Sequence, residues 1–248
     1  MRNGAVMNEQ PATRTVGQVV ASDFRAAAVL ERFGIDFCCS GRRTLEDACV
    51  AAAADPDAVA RALDALPPPG EISDDDAAHW PVPRLIDFIV STHHAYVRAS
   101  MPSIARHLVK LIDAHGSRHP ELARVAAYFD TVRKDLEQHM LKEEQVLFPY
   151  VRDLAEAGES CGRTLSPFGT VANPIRMMER EHQEAGDALR IIRELTLGYR
   201  APADGCATYA IAMGELLQFE RDLHRHVHLE NNVLFPRAVA LEQPASAP

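Results

Sequence analysis

The sequence predicts an all-α protein: an antiparallel four-helix bundle preceded by a small N-terminal helical domain. Three observations carry that expectation. From Val82 onward apolar residues recur at three- and four-residue intervals with no alternating runs, the period of helices that bury one face. Four segments there are long enough to be bundle helices. Finally, the stretch HMLKEEQVLFP at residues 139–149 returns as HVHLENNVLFP at residues 226–236, so both copies read H-x-x-x-E-x-x-V-L-F-P. Recurrence of that pattern 87 residues apart points to a duplicated helical hairpin.

Bulk properties limit the alternatives. With 248 residues, 47% hydrophobic and 25% charged, the chain suits one large domain, or a large one with a small one. A net charge of −9 argues against nucleic-acid or anionic-membrane partners, which need clustered Lys and Arg. The first dozen residues, Met1 to Ala12, are polar, and nowhere do eighteen apolar residues run together, so the expected location is cytoplasmic. Five Cys without an even, regular framework fit a reducing compartment.

Residues 12–66 read as the N-terminal domain. Ser22 and Asp23 are candidate caps for a helix with apolar positions Phe24, Ala28, Val29 and Phe33 and with Gly34 as its stop. A turn-like stretch, Ile35 to Gly41, contains Cys38 and Cys39. Thr44 and Asp47 then cap an Ala-rich helix to about Ala54, and Asp55-Pro56 opens another. Residues 67–81 join a Pro run to an acidic run and read as a solvated linker. The bundle domain follows over 82–240. Its first helix carries Leu85, Ile86, Ile89, Val90, His93 and His94, with Pro102 as a candidate kink before Ile104, Leu108 and Leu111. The second spans about 121–148 with Val125, Phe129, Val132 and Leu136. A Gly-, Ser- and Pro-rich loop at about 158–173 separates the halves. The third, opened by Asn173-Pro174, carries Ile175, Met178, Leu189, Ile192 and Leu195, and the fourth runs from about Cys206 to Leu234. Pro149 and Pro236 are expected to stop or kink their helices.

In each repeat copy His and Glu lie four apart, one helical turn above each other on one face. His94 precedes His139 by 45 residues and His182 precedes His226 by 44, so each half offers one His from its first helix and His plus Glu from its second. The candidate metal ligands are therefore His94, His139, Glu143, His182, His226 and Glu230. His94 is preferred to His93 on alignment alone. Four imidazoles and two carboxylates suit two first-row metals bridged by the carboxylates. A donor set without thiolate points to iron, with manganese or zinc as alternatives. His224 and His228 lie about 200° round the helix from His226 and read as surface or supporting residues. Glu144 reads as solvated, and His79, His107, His115 and His119 have no repeat partner.

These residues carry a resemblance. The chain resembles hemerythrin-like di-iron proteins. With the segment Asp36-Phe37-Cys38-Cys39-x-Gly41 it is similar to the iron–sulfur cluster repair di-iron family, also called repair of iron centres, over about residues 15–240. The matching motifs include Glu181-His182-x-Glu184-Ala185-Gly186 and Leu229 to Arg237. The resemblance implies a hemerythrin-like bundle and a non-haem di-iron centre, carboxylate- and oxo-bridged, on the six residues named. It also implies repair of iron–sulfur clusters damaged by nitrosative or oxidative stress, with damaged iron–sulfur proteins and nitric oxide or another small diatomic as partners. Oxygen-carrying hemerythrins have a second His where this chain has Gly186, so one iron is expected to have an open position.

Adjacent Cys38 and Cys39 would form a strained disulfide. They read either as redox or iron-handling thiols, with Arg42 and Arg43 lowering a thiol pKa, or as two residues packing a small core. Cys49, Cys161 and Cys206 read as structural. The favoured function is cluster repair by iron donation or by nitric-oxide binding and reduction, which leaves enzymatic turnover open. The rival is a nitric oxide or oxygen scavenger or sensor without turnover. Oligomeric state is not legible, a homodimer being one option.

Overall fold

The computed structural model describes residues 14–66, 77–157 and 168–242. The elements among the described residues are all helical, with one isolated bridge between Thr15 and Thr44 and no strand. The chain divides into two compact units: Met1–Trp80 with His228–Val233, and Pro81–Val227 with Leu234–Pro248. Cys161, residues 67–76 of the expected linker and most of the expected loop between the halves lie outside the described residues.

The first unit holds four short helices: α1 (Val16–Ser22), α2 (Ala26–Arg32), α3 (Leu45–Ala51) and α4 (Pro56–Asp64). The helix α1 was not expected. Thr15 and Gln18 form a capping box that closes its first turn, in which the Thr15 hydroxyl accepts from the Gln18 amide and the Gln18 side chain accepts from the Thr15 amide. Ser22 is therefore the end of one helix rather than the start of the next, and its hydroxyl donates back to the Val19 carbonyl at 2.8 Å. Gly34 follows α2 at φ +70°, the left-handed stop its position predicts. Thr44 and Asp55 cap α3 and α4 through their side-chain oxygens. Val16, Val20, Leu30, Ile35, Phe37, Leu45, Cys49 and Val59 form the buried core. The expected linker ends in packed structure: Ala77–His79 is a 3₁₀ turn against α1, with Ala77 buried.

In the second unit α5 (Val82–Phe88) leads through a π-helical turn, Ile89–His94, into α6 (Ala95–His115). Next comes α7 (Glu121–Lys142), a π-helical turn Glu143–Leu147, and α8 (Phe148–Ala157). The third long helix is α9 (Ala172–Leu195). The last is α10 (Ala207–Leu229), continued by the π-helical turn Glu230–Leu234 and α11 (Phe235–Glu242), of which His228–Val233 group with the first unit. Helix α7 packs on both α6 and α9, and α8 on α5 and α11. The ring of four closes through α10. Glu215 accepts from Ser103 and pairs with His107 on α6, and Glu220 pairs with Arg193 of α9. Buried faces of Met101, Ile104, Leu108, Val125, Phe129, Val132, Leu189, Ile192, Leu216 and Phe219 fill the centre. Val90 and Leu195, expected in that core, are only half-buried.

Pro102 lies inside α6, which continues past it as expected, whereas Pro149 and Pro236 do not stop their helices: the chain stays helical through both. A proline ring strikes the carbonyl four residues back in an α-helix. Here those carbonyls belong to Gln145 and Asn232, inside π-helical turns, where the regular α-helical bonding pattern is already interrupted.

Phe129 and Phe219 meet edge to face at 5.4 Å in the middle of the bundle, both fully buried. Changing Phe129→Ala should destabilise folding by about 3–5 kcal/mol in denaturant titrations; a loss under about 1 kcal/mol would contradict this packing.

Candidate metal centre

Three of the six expected donors sit on π-helical turns. His94 ends the first, Glu143 begins the second and Glu230 begins the third. A π-turn admits an extra residue and rotates the side chains that follow, which is why such turns recur at functional sites. His139 and His226 come from the last α-helical turns before Glu143 and Glu230, and His182 from the middle of α9. All six side chains are buried, none more than 1% exposed.

Their donor atoms form two groups: His94, Glu143, His226 and Glu230, and His139, Glu143, His182 and Glu230. Within each group the atoms lie within 4.8 Å of one another. Both carboxylates belong to both groups. The two oxygens of Glu143 stand 3.4 Å from His94 Nε2 and 3.3 Å from His139 Nε2. The imidazoles pair as well: His94 Nε2 is 3.1 Å from His226 Nε2, and His182 Nε2 is 2.9 Å from His139 Nε2. Two nitrogens each about 2.1 Å from one cation, at right angles, would lie about 3 Å apart. Each group therefore has two imidazoles, and the donor sets are equal. Gly186, which has no donor side chain, contributes to neither group.

The surroundings fix which nitrogen faces inward. His94 Nδ1 donates to Glu144 at 2.6 Å, and Arg98 donates to the same carboxylate oxygen at 2.8 Å. His139 Nδ1 donates to Glu181 at 2.9 Å, and Lys142 grips the other oxygen of Glu181. A carboxylate only accepts, so Nδ1 carries the hydrogen and a neutral ring presents a lone pair at Nε2. The hydrogen bond from His139, reinforced by Lys142, holds the Glu181 carboxyl down at about 2. Glu144, expected to be solvated, thus orients His94, and Glu181, a motif residue with no expected role of its own, orients His139. Phe148 stacks on His94 and Phe235 on His182, at 5.9 and 6.2 Å. The two Phe are the same position of the two repeat copies. His93 is also buried; it pairs with Asp222 at 3.0 Å and stacks on His226 at 5.8 Å rather than joining either group.

The remaining His and Cys fall as follows. His228, expected on the surface or in a supporting role, is buried in the first unit between Phe24 and Phe37, its Nδ1 accepting from Asn232 at 3.2 Å. His119 pairs with Glu121 and Asp204, and His107 with Glu215. Cys49 is buried as expected of a structural residue. Cys206 is exposed instead, just before α10, where a hydrogen bond from His115 and amides of the first turn lower its thiol to about 7. Cys38 and Cys39 are free thiols with sulfurs 3.9 Å apart. The Arg-lowered thiol expected there is not found at Cys38: the Cys39 thiol, burial and Asp36 push it well above the usual range.

Comparison with known proteins agrees with this geometry. Residues 85–238 match the hemerythrin HHE cation-binding domain, and residues 12–67 match a domain of unknown function, DUF542. An iron–sulfur cluster repair protein YtfE from Enterobacter sp. (strain 638) is 33% identical over 92% of this chain and 97% of its own length. The protein of the same name from Musicola paradisiaca is 34% identical over 91% and 96%, and that from Escherichia coli 31% over 92% and 97%. The chain belongs to the iron–sulfur cluster repair protein family. Its membership covers both units, so the Cys38–Cys39 segment and the buried His and Glu are read together as parts of one family architecture. Among the described residues of this family member no helix is long and apolar enough to cross a membrane.

We predict that Glu144→Gln and Glu181→Gln each weaken cation binding by the bundle about 10- to 100-fold, because they loosen an imidazole without removing a donor. Competition of Co(II) against a chelator measures this; unchanged affinity in both variants would show that the carboxylates do no orienting.

Proposed function

We propose that this chain repairs iron–sulfur clusters damaged by nitrosative or oxidative stress, and that it does so with a non-haem di-iron centre. His94 and His226 would hold one iron, His139 and His182 the other, with Glu143 and Glu230 shared. The observation that carries the reading is the pair of buried carboxylates common to two His-pair groups. The names of the relatives support cluster repair, and the cation-binding domain supports a metal on these residues. Four nitrogens and two carboxylates without sulfur form a donor set of intermediate hardness that suits iron.

Bound iron would supply a Lewis acid able to take a small diatomic and exchange an electron with it. The chain's own residues do the rest. Glu144 and Glu181 hold the hydrogens of His94 and His139 on Nδ1, so that Nε2 stays available. Arg98 and Lys142 fix those two carboxylates in turn. Phe148 and Phe235 stack on His94 and His182 and place apolar surface beside those rings. With only two imidazoles in each group, coordination sites remain for solvent, nitric oxide or an acceptor of iron. Such a site favours exchange and transfer over closed storage.

Anaerobically loaded protein should hold about two iron ions per chain, and Glu143→Ala with Glu230→Ala should hold less than one. Reduced, loaded protein should restore activity to an iron–sulfur enzyme inactivated by nitric oxide, whereas the double variant should not. No recovery, together with tight stoichiometric nitric oxide binding, would replace repair with scavenging.

A further inference from the structure

The segment around the vicinal thiols is held by hydrogen-bonding side chains on two sides. Asp36 folds its carboxylate back over the chain, and one oxygen, Oδ1, accepts from the amides of Cys38 and Cys39, both at 3.0 Å, and from the Cys38 thiol at 3.2 Å. Asn232 holds the same loop from the other side. Its amide donates to the carbonyls of Phe37 and Cys38 at 3.3 and 3.2 Å, and Asn231 adds a bond to the Cys38 carbonyl at 3.4 Å. Gly17 and Gly41 let that side chain in: a Cβ at either position would collide with Asn232. The Gly17 amide further donates to the Gly41 carbonyl at 2.9 Å, tying the loop to α1. The outcome is three donors of metal-binding type, Asp36, Cys38 and Cys39, whose ligand atoms lie within 4.8 Å of one another.

The spacing is informative. Two thiolates each about 2.3 Å from a tetrahedral cation lie about 3.8 Å apart, and a carboxylate oxygen at about 2.0 Å lies about 3.5 Å from either sulfur. The sulfurs stand at 3.9 Å and the Cys38 sulfur is 3.2 Å from Asp36 Oδ1. That is close to a chelating arrangement and far from the bond length of a disulfide, about 2.05 Å. Exposure is graded across the three: Cys38 is buried, Cys39 partly exposed and Asp36 exposed. The group thus opens to solvent on its Asp36 side.

We propose that Asp36, Cys38 and Cys39 form a second cation site, in the N-terminal unit, for a single thiophilic divalent cation with solvent in the remaining position. Taking Fe(II) as its working occupant rests on the repair reading; the site itself does not. Binding would convert both thiols to thiolates and release two protons to solvent per cation, with no change of oxidation state, so affinity rises with pH. Three protein donors and an exposed edge describe a site that loads and unloads, as an intermediate stop for iron entering or leaving the protein would have to.

The test is titration of the reduced, full-length apo-protein with Co(II). The bundle groups contain no sulfur, and Cys206→Ser in every protein titrated removes the other exposed thiol among the described residues, so a thiolate-to-cobalt charge-transfer band in the near ultraviolet then reports the N-terminal site. One equivalent should develop the band in the wild type. Asp36→Asn, whose amide oxygen can still accept from the loop amides, should weaken the band's affinity at least about tenfold. The double variant C38S/C39S should lack the band while still binding Co(II) in the bundle, and the pair E143A/E230A should keep it while losing bundle binding. A wild type without the band, a band that survives C38S/C39S, or unchanged affinity in Asp36→Asn would each overturn the site. Loss of repair in E143A/E230A, or its absence altogether, bears on the bundle reading only.

Discussion

Two carboxylates, Glu143 and Glu230, are fully buried and shared between the same four imidazoles. Desolvating an ionised carboxylate costs several kcal/mol even after relaxation, and two within one cluster repel each other as well. Such an arrangement is stable when cations join it, and much of the bundle is arranged around that requirement. Four helices bring the six side chains in. Turns of π-helix set the facing of His94, Glu143 and Glu230. A further layer of carboxylates, Glu144 and Glu181, keeps ring hydrogens away from the centre.

The duplication explains both the symmetry of the centre and its departures. Phe148 and Phe235 stack on His94 and His182, equivalent residues of the two halves. Symmetry breaks one residue past each shared carboxylate. Glu144 follows Glu143 and orients His94, whereas Asn231 follows Glu230 and, with Asn232, binds the carbonyls of the Cys loop. It breaks again before the first-helix histidines, where Glu181 orients His139 but His93 stacks on His226. One copy of the repeat thus serves the metal cluster alone. The other also contributes residues 228–233 to the N-terminal unit, so the repeat is not confined to the bundle.

The helical class, the bundle and the six clustered side chains were legible because each depends on a period or a spacing. Helical positions for Val125, Phe129, Val132 and Leu136 follow from 3.6 residues per turn, and the His–Glu offset places His139 beside Glu143. What could not be read depends on contacts distant in sequence. Glu144 looks solvated until His94, fifty residues earlier, arrives beside it. His228 faces away from the metal side of its helix, and only the presence of Phe24 and Phe37 makes that face buried. Pro149 and Pro236 signal a break that the π-turns relieve, and no local pattern announces a π-turn. Helix α1 is not legible because its capping box, Thr15 with Gln18, precedes only seven helical residues, too short a run for a period to register. One clue was available: aligning the halves sets Glu144 against Asn231 and Glu181 against His93, and those mismatches mark the residues that divide the labour.

The central claim is that two cations share Glu143 and Glu230, each held by one His from either half. Anomalous diffraction at the iron edge from iron-loaded crystals tests it most directly. The account predicts two peaks, one between His94 and His226 and one between His139 and His182, both flanked by the two carboxylates. A single peak, or iron bound at Glu144 and Glu181 rather than at the shared pair, would contradict it.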